Sequence, residues 1–288
     1  DGLLKLLGRR HTADEAEKAA MRARSAGFSN LSLDLMFGLP QQSLEQWTGS
    51  LDRALSLRPE HLSLYGLQLE HGTPLEAAVR TGTIPEPDQD LAADMYLAAE
   101  DALGRAGYRR YEISNWARPG SESLHNLAYW RCEPYLGAGP GAHSSLFGLR
   151  FANMKSPRGY IAAAMKATRP LMTVSGAEAV VEMKSSGPVE FIEETTEAMA
   201  RAEFMMMGLR LDAGVLDAEF KERFGVTLES AFAEVISGLA DLRLIESDTL
   251  GVRLTKRGRL LGNEVFRRFV EAAESAPLAG AGVAGGTK

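Results

Sequence analysis

Two hydrophobic rhythms alternate along the first part of the chain. TADEAEKAAMRARSAG sets small and apolar residues at helical spacing behind Thr12, and Glu15 completes a capping box with it, predicting a helix to about Ala26, before Gly27. LSLDLMF then alternates with a period of two and predicts a strand that ends at GLP. Ser43 and Gln46 form a second capping box, opening a helix that stops before Arg58-Pro59, because a residue preceding proline avoids the α region. HLSLYGLQL reads as the next strand, DLAADMYLAAEDALGRAG as a long helix and YRRYEIS as the strand after it. Helices alternating with strands in this way predict an α/β fold, as part of a barrel or an open parallel sheet. In both, ligands sit at the C-terminal ends of the strands.

Beyond residue 150 the rhythm changes. GYIAAAMKA predicts a helix, and the stretch 169–194, with Gly176, Gly187 and Pro188, reads as a linker or excursion. Residues 195–272 predict three helices, a short hairpin-like pair (LIESD and GVRL) and a last helix from Lys256, which together suggest a small helical, winged-helix-like module. The final residues, 273–288, are small and of low complexity, and predict a disordered tail. The expected domains are therefore 1–168, 195–272 and the two connecting or terminal segments.

Composition adds limits. The net charge of −6 offers no general attraction to nucleic acid or anionic lipid, so no nucleic-acid partner is expected; membrane contact and oligomeric state stay open. A single cysteine, Cys132, excludes an intrachain disulfide framework and suits a reducing cytoplasmic setting. It also cannot by itself supply a multi-thiolate metal or iron-sulfur site. No apolar run approaches the roughly 18 residues that a membrane helix needs. The chain opens on Asp1 and passes at once into LLKLLG, which reads as the continuation of a longer protein.

Several residues invite chemistry. Asp34 lies in LSLDLMF, on the face shared by Ser32 and Met36; it reads either as half of an ion pair, with Arg9 or Arg10 as partner, or as a carboxylate holding a polar ligand at a barrel mouth. Gln41 and Gln42 follow that strand, and Gln68 and Glu70 follow the next, where connecting loops and ligand contacts look alike. GAGPGAH lacks the lysine of a P-loop and the spacing of a dinucleotide fingerprint, so its glycines read as places where backbone approaches a ligand or a neighbouring strand closely. His125 stands in HNLAYW beside Asn126, Tyr129 and Trp130; imidazole is an axial ligand for haem iron and aromatic rings cover a porphyrin face, but the same group would also make a packed corner of a core.

Taken in order, LLGRRH, LDLMFGLPQQS, LSLYGLQLEHGTPL, YEISNWARPG, HNLAYW and YLGAGPGAHS resemble the radical S-adenosylmethionine (radical SAM) proteins related to oxygen-independent coproporphyrinogen III oxidase. RAEFMMMGLRL and VRLTKRGRLLGNEVFRRF resemble that family's small C-terminal domain. Within the group, His125, Asn126, Tyr129 and Trp130 match the HNxxYW pattern of HemW-type haem chaperones. The resemblance implies a partial (β/α) barrel of radical SAM type, a [4Fe-4S] cluster and S-adenosylmethionine as cofactors, and haem as cargo for apo-haemoproteins. It implies that Arg9 and Asp34 contact the methionine and ribose portion of S-adenosylmethionine, that Gln68 lies against the adenine, and that His125 faces haem iron. The second reading it allows is an oxygen-independent coproporphyrinogen III oxidase of porphyrin biosynthesis, which would make the protein an enzyme. The family holds its cluster with a C-x3-C-x2-C motif that this chain lacks, so an N-terminally truncated sequence is expected, with the cluster ligands upstream of residue 1.

Overall fold

The helix starts carry the local signals that the sequence advertises. Thr12 Oγ1 accepts the Glu15 N–H at 3.2 Å while the Glu15 carboxylate accepts the Thr12 N–H at 2.8 Å. Ser43 and Gln46 repeat the reciprocal pair. The computed structural model of the chain describes residues 1–166 and 176–275. It divides into two compact units: residues 1–124 with 211–213, and residues 125–210 with those from 214 onward.

The first unit contains α1 (Gly2–Leu6), α2 (Ala13–Ser25), β1 (Ser32–Phe37), α3 (Leu44–Ser56), β2 (His61–Gly66), α4 (Pro74–Arg80), α5 (Gln89–Arg105), β3 (Arg109–Arg110) and β4 (Asn115–Ala117). Its sheet runs β1-β2-β4-β3. β1 and β2 are parallel, with Asp34 opposite Ser63, as the βα rhythm predicts. The core lies between this sheet and α3 and α5, where Trp47, Leu51, Leu62 and Leu103 are fully buried. The Trp47 indole N–H donates to the Met95 carbonyl at 2.8 Å, so this large buried side chain leaves no donor unsatisfied.

One strand differs from expectation. YRRYEIS is not a single parallel strand: β3 and β4 are short and antiparallel, and β4 also runs antiparallel to β2. The cause is Glu112, which is fully buried. Its carboxylate accepts the Ser114 N–H at 3.2 Å and the Asn115 side-chain amide, and these bonds turn the chain where periodicity would have continued it. The segment 211–213 joins this unit through a Glu112–Leu211 bridge and an Arg110–Asp212 ion pair.

The second unit takes in α6 (Leu124–Trp130) from its second residue, then β5 (His143–Leu146), β6 (Leu149–Asn153), α7 (Pro157–Lys166), α8 (Gly176–Ser186), β7 (Val189–Glu194) and α9 (Glu197–Gly208). β8 (Val215–Leu216), α10 (Asp217–Phe224), α11 (Leu228–Asp241), β9 (Ile245–Ser247), β10 (Gly251–Leu254), α12 (Lys256–Leu260) and α13 (Gly262–Glu274) complete it. β5, β6 and β7 form an antiparallel sheet, so the part of the 169–194 stretch that is described, from 176, is helix and strand; 169–175 lie outside the described residues. β8, β10 and β9 form a second antiparallel sheet, packed with α9, α11 and α13 around Phe220, Phe232 and Phe269 in the winged-helix-like arrangement. α11 breaks at Phe232, where φ is −141°. Of the expected tail, 276–288 lie outside the described residues. No described helix is long and apolar enough to cross a membrane.

Candidate functional site

In the first unit the polar groups of interest are spread along the β1–β2 pair: Ser32 and His61 open the two strands, Asp34 lies opposite Ser63 near their middle, and Gln68 follows β2. Asp34 is exposed. Of its two readings, half of an ion pair or a carboxylate holding a polar ligand, the first finds no bond to Arg9 or Arg10 among the described residues. Arg9 is exposed in the turn between α1 and α2. The Leu67 N–H donates to the Phe37 carbonyl at 2.9 Å, carrying the parallel pairing one step past the strand ends, so the exposed Gln68 stands just beyond them. Gln42, by contrast, is buried and its side-chain oxygen accepts the Leu39 N–H at 3.1 Å; it closes the GLPQQ turn. Thr73 caps α4.

Beneath Asp34 lies a polar group that sequence reasoning passed over. His61, only 5% exposed, has Ser32 Oγ 2.8 Å from Nδ1 and the Tyr111 hydroxyl 2.8 Å from Nε2. The Ser123 N–H donates to the same Tyr111 hydroxyl at 3.4 Å. Burial pushes the imidazole below its ordinary pKa, against the charges of Asp34 and Glu122, which raise it. The only hint in the sequence was a histidine opening an otherwise apolar strand.

In the second unit α6 carries the HNLAYW residues. His125 is exposed, and its ring meets Tyr129 edge-on with centroids 4.8 Å apart. Tyr129 in turn meets Tyr135 edge-on at 4.7 Å, so one imidazole and two phenol rings form a continuous ladder. Asn126 is half-buried on the same helix. Trp130 faces elsewhere: the Arg210 guanidinium lies 5.2 Å from its ring, and its indole N–H is buried. Cys132 is half-buried and burial pushes its thiol up, so it stays protonated and is a poor metal ligand. Among the described residues no three His, Cys, Asp or Glu side chains gather as a metal site, and with one cysteine the residues present do not fit a [4Fe-4S] cluster.

The parallel β1–β2 pair and the winged-helix-like module that follows later in the chain can be compared with known proteins. The HemN C-terminal domain family matches residues 196–261. The solved structure of coproporphyrinogen III oxidase (HemN) from Escherichia coli superposes with a TM-score of 0.68 over 93% of this chain and 61% of its own, at 20% identity, which speaks for the fold. "Heme chaperone HemW" of Bacillus subtilis is 38% identical over 270 residues, or 94% of this chain and 66% of the relative. Its namesake in Mycobacterium tuberculosis is 35% identical over 269 residues, covering 93% and 62%. A mouse protein, "Radical S-adenosyl methionine domain-containing protein 1, mitochondrial", is 50% identical over 143 residues, 50% of this chain and 32% of its own. The chain belongs to the HemW family of HemN-related radical SAM proteins. It spans about two thirds of the length of the first of these relatives.

Proposed function

We propose that the protein binds haem and delivers it to apo-haemoproteins, as a haem chaperone of the radical SAM superfamily. The observation that carries this reading is the exposed imidazole of His125, held edge-on by Tyr129 at the head of an aromatic ladder. An imidazole free to solvent on a firm helix suits an axial bond to haem iron, and flanking rings suit a porphyrin face. In this reading His125 is the iron ligand with Asn126 and Tyr129 beside it, while Trp130, the fourth residue of the motif, serves haem only indirectly by seating the helix against Arg210. Arg9, Asp34 and Gln68 serve S-adenosylmethionine: Arg9 and Asp34 the methionine and ribose portion, Gln68 the adenine. Their exposure, and the place of Gln68 just past the C-terminal end of a parallel strand, support the assignment. No step here passes through a [4Fe-4S] cluster, for which this chain has too few thiols. The 195–272 module serves as a lid or docking domain, and a cytoplasmic setting accords with the single cysteine.

Haem titration of the purified protein, followed at the Soret band, tests the reading. His125→Ala is expected to weaken binding by about tenfold or more and to shift the band, since loss of a metal-linked group costs on that order. Equal affinity with an identical spectrum would remove His125 as the ligand. Catalytic formation of vinyl groups from coproporphyrinogen III, with S-adenosylmethionine and a reductant, would instead favour the oxidase.

A further inference from the structure

α6 is only seven residues long, and two turns of helix do not hold their shape in water without tertiary support. Its C-terminal end shows where that support comes from. Cys132 takes a left-handed backbone with φ of 51° and donates its N–H to the Tyr129 carbonyl at 2.9 Å, while the Glu133 N–H bonds the Ala128 carbonyl at 2.9 Å. The carbonyls of Arg131 and Cys132 lie just past the C-terminal, negative end of the helix. Arg223 of α10 meets both: its Nη2 donates to the Cys132 carbonyl at 2.9 Å and its Nη1 to the Arg131 carbonyl at 3.4 Å. The same guanidinium lies 5.2 Å over the Phe204 ring of α9.

A second arginine grips the last residue of the helix. Arg210 stands between two rings, 5.2 Å from Trp130 and 4.7 Å from Phe266 of α13. Cys132 packs against the apolar cluster of the same C-terminal helices. Both cations therefore hold the tail of α6, while His125, at its head, carries no such contact and is exposed.

We infer that Arg210 and Arg223 are positioning residues for the haem ligand: they clamp the last turn of α6 to the C-terminal helices so that His125 and Tyr129 are presented in one orientation. This rests on the haem reading only for the role of His125; the clamp itself is a property of the ligand-free protein. It gives the C-terminal module a task beyond docking, because the helix that bears the proposed ligand is fastened to it.

Hydrogen exchange of the segment 124–133, measured on the haem-free protein by mass spectrometry, reads the clamp directly, with haem titration of the same variants beside it. Arg223→Ala and Arg210→Ala are expected to speed exchange in 124–133 by about tenfold, as loss of a charge-assisted contact implies, and to weaken haem binding with a shifted Soret band. Arg223→Lys, which keeps the charge but loses the fork, is expected to restore part of both. Arg210→Met keeps an apolar stem between the two rings and serves where the alanine variant does not fold. Unchanged exchange in 124–133, or exchange that rises equally throughout 195–272, overturns the clamp. Faster exchange in 124–133 while both Arg223→Ala and His125→Ala bind haem like the parent upholds the clamp and removes the haem reading instead.

Discussion

Gly137 shows how tightly a single position can be determined. A Cβ there would lie 2.1 Å from the His143 carbonyl oxygen and 3.0 Å from the Ala142 Cβ, so the obstacle is backbone that cannot swing away. The loop is held at that distance by the Gly137 N–H donating to Ser144 Oγ at 2.9 Å, and by the Asn153 amide donating to the Gly137 and Gly139 carbonyls at 3.3 and 3.0 Å. Gly137→Ala is therefore expected to destabilise the second unit by about 1–3 kcal/mol, the usual cost of overpacking. Urea unfolding followed by circular dichroism checks this, and an unchanged midpoint refutes it. The glycines of GAGPGAH announced a close approach; that a strand, not a ligand, lies opposite Gly137 depends on a register the sequence does not spell out. Asp34 was legible as belonging to one face of a strand, but alternation cannot say which face meets water. The role of His61 was not legible beyond its place at the start of an apolar strand, because its partners Ser32 and Tyr111 come from 29 and 50 residues away.

At the scale of elements, helix caps with a known spacing were readable, while a turn made by a buried side chain or a pairing with a distant partner was not. The capping boxes at Thr12 and Ser43 appear as their spacing requires. YRRYEIS misled because its periodicity is that of a strand, whereas the buried Glu112 turns the chain with bonds to residues two and three places on. HNLAYW gave its residues but not their division of labour: His125 and Tyr129 belong to an exposed ladder, Trp130 to the seat of the helix. The Ser43 cap bears on the core of the first unit directly, since the helix it starts carries Trp47 and Leu51, both wholly buried. Ser43→Ala removes the acceptor for the Gln46 N–H and is expected to cost about 1 kcal/mol. A matching drop in the urea midpoint with an unchanged slope would support it; a drop with a changed slope would mean the unfolded or native state had altered instead.

At the scale of the whole molecule, the first unit carries a buried imidazole that ties its stability to pH. The first unit buries His61 between two hydroxyls, with its pKa below the ordinary 6.5 because burial disfavours the imidazolium. The unfolded chain takes up that proton as the pH falls through 6.5, while the folded chain resists until its own lower value is reached. The unfolded state then binds more protons, so the stability His61 lends is complete above 6.5 and declines through the interval beneath it. Measurement between about pH 7.5 and about pH 5.5 stays above the carboxylate range. Trp47 and Trp116 lie in the first unit and Trp130 in the second, so Trp130→Phe leaves fluorescence as a reporter of the first unit alone. In that background the fluorescence melting temperature is expected to fall with pH across this interval. His61→Gln, which offers one donor and one acceptor to the same hydroxyls but cannot take a proton, is expected to flatten the dependence. A glutamine variant with the parent's slope would place the acid sensitivity of the first unit on a group other than His61.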